Sequence, residues 1–433
     1  MGHLHASSGV YGELVTRLQR GPVALPEPHD PRRRAAWQEI IEILFSPDDA
    51  ALAARLPVVP ADLESLACRL GLEPEALRSR LDAMADRGLV LDLADPRGGR
   101  TMYMLAPPMV GFFEFSMMRL DDGLPKERLA RAYEAYQHND TAFLEEISAA
   151  TVVGRTLAHE SVIVGDLLSE VLDWELASAC VGEATSLAVT NCFCRHSAEH
   201  LGRRCDYPME VCLSLNDGAD YLVRHGFARP IGREETLEIL TMGHELGMVH
   251  IADNVQQEIT YICSCCPCCC GELRSVREGL PMVQPSGFAA APDAERCTGC
   301  GRCVRTCPVQ AVSLVSRGPR PADGGTTKLL SHIDMDVCLG CGVCVGACRQ
   351  QAMRMQRRAE QPYVPLNAIE HLTRRMLERG RLADLLIDGT AGRGPAFANA
   401  VLGAVVSLPP AEKLLASEQV KSRFVRYALS RAG

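Results

Sequence analysis

CTGCGRCVRTCP at 297–308 and CLGCGVCVGACR at 338–349 share one cysteine spacing, with gaps of two, two and three residues. Each cysteine of the second run lies 41 residues after its counterpart, so the pair is an internal duplication. Around it the chain is rich in thiols: eighteen of its twenty cysteines fall between Cys192 and Cys348. In a small secreted domain such a count would mean disulfides. In a chain of 433 residues, with no charged-then-apolar order in its first residues, clustered cysteines point to metal in a reducing compartment.

The spacing has a chemical reason. A cubane needs thiolates at neighbouring corners, and a loop with two-residue gaps wraps its side chains and amide N–H groups around one cluster. The fourth cysteine starts a helix that leads away and reaches the other cluster. Two intact four-cysteine runs favour two 4Fe–4S clusters over a pair of zinc sites, although paired CxxC motifs also bind zinc.

Both runs closely resemble the bacterial ferredoxins that carry two 4Fe–4S clusters. The resemblance implies that Cys297, Cys300, Cys303 and Cys348 hold one cluster, and Cys338, Cys341, Cys344 and Cys307 the other. It also implies strands at Ala311–Val315 and Ala352–Met355, and small residues (Gly299, Gly301, Gly340, Gly342) where backbone approaches sulfide. Arg349 departs from the family, standing where a proline follows the fourth cysteine. The Gly- and Pro-rich insertion 317–327 is expected to loop out.

A second constellation lies upstream: Cys192, Cys194, Cys205 and Cys212, then Cys263, Cys265, Cys266, Cys268, Cys269 and Cys270. In an extended strip successive side chains point to opposite faces. Cys263, Cys265 and Cys269 would then face one way and Cys266, Cys268 and Cys270 the other, feeding two sites. Ten thiols suffice for two further four-thiolate clusters with two left over. Zinc, a less usual cluster or a dithiol redox pair remain alternatives. Arg195, His196, Arg203, His250 and Asn254 are candidate groups for neutralising or orienting the ligands. The region from NCFCRH to ICSCCPCCC resembles a family of iron–sulfur proteins in which it accompanies dicluster modules; the resemblance covers residues 35–358. Cys68 and Cys180 stand apart and are expected to be ordinary buried side chains.

Toward the N-terminus, Trp37, Ile40, Ile41 and Leu44 recur at helical spacing. Two further helices follow, carrying Leu63–Leu70 up to Gly71 and Leu77–Met84 up to Gly88, and then a hairpin of 89–93 and 101–105 across the turn 95–99. Residues 35–106 thus resemble a winged helix-turn-helix. Its recognition segment 73–88 carries a net charge of −1, and the chain as a whole −9, so binding to nucleic acid is not expected.

Helices are expected at 126–147, near 165–179 and from Gly232 to about 247, with a strand at 186–190 leading into Cys192. The resulting fold class is a multidomain α+β chain. Its parts are a lead segment (1–34), the winged-helix-like module (35–106), a mixed α/β cysteine-rich middle domain (107–280), a linker (281–293), the ferredoxin-like dicluster domain (294–360) and a helical C-terminal region (361–433). That last region holds an amphipathic stretch 369–386, the weak glycine motif 389–394 and a basic tail with Lys421, Arg423, Arg426 and Arg431. The apolar run 396–408 is too short to span a bilayer, and a cytoplasmic location is expected. The functional expectation is an electron-transfer protein working with redox protein partners. The alternatives are a cluster-dependent transcription regulator and an iron–sulfur reductase with its active site in the middle domain.

Overall fold

In a computed structural model of the chain, residues 9–94, 99–137, 141–148, 150–316 and 328–382 are described, with 384–385, 401, 404–405, 408–410, 412 and 415–416. The turn tip 95–98, the insertion 317–327, most of the apolar run 396–408, the glycine motif 389–394 and the basic tail lie outside them. The chain forms two compact units. One comprises residues up to Thr151, Tyr221–Phe227 and Leu366 onward; the other comprises Val152–Asp220 and Ala228–Pro365.

After the helix Val10–Leu18, the first unit continues with side-chain-capped helices. Asp30 accepts from the amides of Arg32 and Arg33 at the start of Pro31–Leu44, and Ser46 and Asp49 form a capping box at the start of Pro47–Ala53. Asp62 and Glu73 cap Leu63–Leu70 and Pro74–Ala85. Gly71 ends the former in the left-handed conformation, as the sequence suggests. Strands β1 (Ala61–Asp62), β2 (Val90–Ala94) and β3 (Thr101–Leu105) make an antiparallel sheet in the order β1-β3-β2. Trp37, Ile40, Leu66, Leu77, Leu81 and Met84 are buried beneath these elements.

Residues 107–151 belong to this unit and not to the cysteine-rich region, which corrects the expected boundaries. The reason is aromatic packing. Phe113, Tyr133, Tyr136 and Phe143 bring the helices Lys126–Gln137 and Thr141–Ile147 into a core shared with Phe45 and Phe112. The single helix expected over 126–147 is therefore two. Cys68, expected inside, is exposed, whereas Cys180 is buried.

The second unit is built on a seven-stranded sheet in the order β10-β4-β8-β9-β6-β5-β7. Its strands are β4 (Gly154–Leu157), β5 (Leu187–Asn191), β6 (Glu210–Leu215), β7 (Arg229–Pro230), β8 (Val249–Asp253), β9 (Tyr261–Cys265) and β10 (Val283–Gln284). All neighbours are antiparallel except β10 and β4. The expected helix at 165–179 is instead two 3-10 turns, Gly165–Glu170 and Asp173–Glu175, followed by the helix Ala177–Glu183. Val164, Leu168 and Leu172 are left exposed there, so no apolar face holds a longer helix in place.

The 281–293 segment is not a linker. It contains β10 and β11 (Phe288–Pro292), and β11 pairs along its length with β14 (Met353–Arg357). Phe288, Ala289 and Ala290 are buried. Small apolar residues read as a flexible joint in sequence, yet here they are what lets a strand pack closely. The second hairpin-like pair joins β12 (Val312–Ser316) to β13 (Leu329–Ile333). Strands β12 and β14 fall where the ferredoxin resemblance places them.

Candidate metal centres

In the duplicated module, each cysteine run opens on an aspartate carbonyl. The Cys297 amide donates to the Asp293 carbonyl and the Cys338 amide to that of Asp334, both at 2.9 Å. Gly299 and Gly340 adopt φ of 67° and 66°, and a Cβ on either would collide with strand backbone: the Leu329 carbonyl oxygen at 2.6 Å, or that of Phe288 at 2.0 Å. What demands glycine here is thus a neighbouring strand, in addition to any approach to sulfide. Each fourth cysteine accepts an amide hydrogen from four residues on, Ala311 to Cys307 at 3.2 Å and Ala352 to Cys348 at 3.3 Å.

The eight thiols lie in two adjoining neighbourhoods, with Cys303 and Cys344 close enough to interact across them. Cys297, Cys300, Cys303 and Cys348 line one cavity with Ser331, Pro292 and Met353. Cys307, Cys338, Cys341 and Cys344 lie close enough to perturb one another electrostatically. Burial pushes the Cys341 thiol up to about 12, and the neighbouring sulfurs add to the rise. Thiolates in that position need a compensating cation, which the iron of a cluster would provide. The residues present therefore fit two cubanes.

Ser331 escaped the sequence reading. Its hydroxyl, 4% exposed, lies 3.1 Å from the Cys303 sulfur and 3.6 Å from that of Cys297. The duplication places Ala290 at the equivalent position, 41 residues earlier, so one group of thiols has a hydroxyl neighbour that the other lacks. Comparing the halves at a 41-residue offset would have exposed the difference.

The ten upstream cysteines divide six and four. Cys212 on β6 stands directly opposite Cys263 on β9, and Cys265 lies two residues along on the same face. A register shift at the end of β5 turns the chain into Cys192, which begins the helix Phe193–His200 carrying Cys194. Cys270 begins the helix Gly271–Arg277. These six sulfurs form a closed ring of contacts, running Cys192, Cys194, Cys270, Cys265, Cys263, Cys212 and back to Cys192. Thiol–thiol hydrogen bonds around the ring lower Cys192, Cys263 (to about 5) and Cys270, and raise Cys194, Cys212 and Cys265.

The remaining four gather separately. Cys205, Cys266, Cys268 and Cys269 bring their sulfurs within 4.8 Å of one another, with Cys205 3.7 Å from Cys266 and 3.4 Å from Cys269. Simple alternation along the strip fails at one point. The strand ends at Cys265 and residues 267–269 form a turn, which exchanges the places of Cys269 and Cys270. None of the ten is left over.

Arg195 serves both groups. It is fully buried, donates to the carbonyls of Pro208 (3.0 Å) and Ser264 (2.7 Å), and its Nε has no partner among the described residues. Burial opposes its charge, but the sulfurs of Cys192, Cys266, Cys212 and Cys265 more than offset this and hold the guanidinium protonated. A buried cation with an unused N–H, near sulfurs of both groups, fits an anionic metal–thiolate centre. His196 contacts His200 instead (3.1 Å), Arg203 is exposed, and Asn254 donates to the Val152 carbonyl.

His250 does connect to the ring. Its Nδ1 lies 3.2 Å from the hydroxyl of Ser264, the residue between Cys263 and Cys265. Its ring stands 5.1 Å from that of His159, which the sequence reading passed over. The His159 amide in turn donates to the Cys341 carbonyl at 3.0 Å, and its Nε2 lies 2.7 Å from the Met248 carbonyl oxygen. Burial holds both imidazoles neutral, His159 at about 4 and His250 at about 3. A chain of contacts therefore runs within the second unit from the backbone of a dicluster cysteine to Ser264, the strand residue between Cys263 and Cys265.

The described helices include none long and apolar enough to cross a membrane. No curated protein and no solved structure matches the chain. Residues 296–352 match the 4Fe-4S dicluster domain, which identifies this part of the chain as an iron–sulfur, ferredoxin-like module.

Proposed function

We propose that the protein transfers single electrons between redox protein partners through two 4Fe–4S clusters and a further iron–sulfur centre in the ring of six cysteines. The observation that carries this reading is the contact chain Cys341, His159, His250, Ser264, which ends between two ring cysteines. When bound, the clusters supply one-electron redox chemistry at potentials set by charge, hydrogen bonds and solvent exposure. The residues bind, orient and exclude water. Cys297, Cys300, Cys303 and Cys348 are assigned to one cluster, and Cys338, Cys341, Cys344 and Cys307 to the other. Neutral, buried imidazoles at His159 and His250 fill the space between centres without adding charge that would trap an electron.

Regulation through DNA has less support. Each arginine of the Pro74–Ala85 helix and its C-terminal turn is engaged by protein: Arg78 by Glu75, Arg80 by the Asp48 carbonyl and Arg87 by both oxygens of Asp49. These groups are poorly placed for phosphate contacts.

The test is a redox titration of the anaerobically reconstituted full chain, followed by electron paramagnetic resonance. Reversible low-potential couples in excess of the two from the dicluster module are expected. A protein with no reversible low-potential couple is not an electron carrier. One with only the two dicluster couples has no redox centre in the ring.

A further inference from the structure

We propose that Cys205, Cys266, Cys268 and Cys269 hold a single tetrahedral zinc ion, a site separate from the redox centres. A zinc–sulfur bond of about 2.3 Å places the sulfurs of a four-thiolate site about 3.8 Å apart. Two separations in the quartet, 3.4 and 3.7 Å, lie just under that spacing, and all four sulfurs fall within 4.8 Å of one another. The molecule supplies its own comparison: among the described residues, the dicluster cysteines form no group as close as this one.

Three ligands come from a four-residue turn, Cys266 to Cys269, with Pro267 between. So tight a chelate suits a d10 ion with no geometric preference of its own. Four thiolates give the bound site a double negative charge. Metal binding releases the protons of the four thiols.

The experiment uses the full chain, purified without oxygen, with metals counted by mass spectrometry and zinc K-edge absorption recorded. About one zinc per chain with four sulfur neighbours near 2.3 Å is expected. Cys268→Ser, at the most exposed member of the quartet, should lower zinc retention severalfold and leave iron content unchanged. Zinc well below one per chain in the wild-type protein, or nitrogen and oxygen neighbours, overturns the proposal. So does iron that falls together with zinc in the variant, or the visible spectrum of a mononuclear ferric thiolate site. The wild-type spectrum decides even if the variant fails to fold, and it is independent of whether the ring transfers electrons.

Discussion

The dicluster module and the sheet-borne centre solve the same problem in opposite ways. In the module, twelve-residue runs carry the ligands, and local turns at Gly299 and Gly340 do the positioning. Only Cys307 and Cys348 reach outside their own loops. In the sheet, Cys212 and Cys263 meet because β6 pairs with β9, while Cys192, Cys194 and Cys270 arrive from two helix starts. A loop-built site depends on backbone conformation at a few residues, whereas a sheet-built site depends on strand register. The two should therefore fail separately and for different reasons.

The largest effect is expected at Gly340. A Cβ there lies 2.0 Å from the Phe288 carbonyl oxygen, at a φ that disfavours side chains. Gly340→Ala should destabilise the module by about 3 kcal/mol or more and cost about four irons per chain. Cys263→Ser makes the reciprocal test. It should empty the ring while leaving the dicluster with about eight irons. Loss of all iron in either variant would mean that the two sites assemble as one.

A smaller change is expected from the link between them. His250→Phe keeps an aromatic ring but removes the contact to Ser264. It should slow electron equilibration between dicluster and ring severalfold, with unchanged iron content. Unchanged rates would remove His250 from the path.

Ser331→Ala removes the hydroxyl beside Cys303 and Cys297 and makes that position match Ala290. Losing a donor to ligand sulfur disfavours the more negative, reduced cluster. One dicluster potential should fall by something on the order of tens of millivolts, and the other should stay put.

The first unit offers a control away from metal. His225 lies 2.7 Å from Asp86 and 2.9 Å from Asp92. Burial opposes its charge, but the hydrogen bonds its ring donates to Asp92 and Asp86 prevail and raise its pKa; Asp92 is lowered despite its own burial, by His225 and Arg224. His225 thus contributes fully below about 6.5 and loses its contribution as pH rises through its raised value. Asp92 contributes above about 3.9 and loses its contribution as pH falls through its lowered value. His225→Asn should flatten the decline of stability on the alkaline side, as read by thermal melts from pH 5 to 9.

The same contrast explains what the sequence made legible. The eight dicluster cysteines stood out by their spacing, because each loop is nearly self-contained. The ten upstream thiols stood out as candidates for holding metal, but not their division, which turns on where β9 ends and residues 267–269 begin to turn. His159 gave no signal, being 89 residues from the Met248 carbonyl it touches and farther still from Cys341. Residues 281–293 read as a linker because three alanines carry no pattern, although pairing with β14 makes them a strand. Residues 107–151 were misplaced for a related reason: aromatic residues declare burial but not which core they will join.

Iron counted per chain in anaerobically prepared protein tests the central claim most directly. About twelve irons or more are expected, eight from the dicluster module and at least four from the ring of six cysteines. About eight irons, with the ring thiols still open to alkylation, would contradict it.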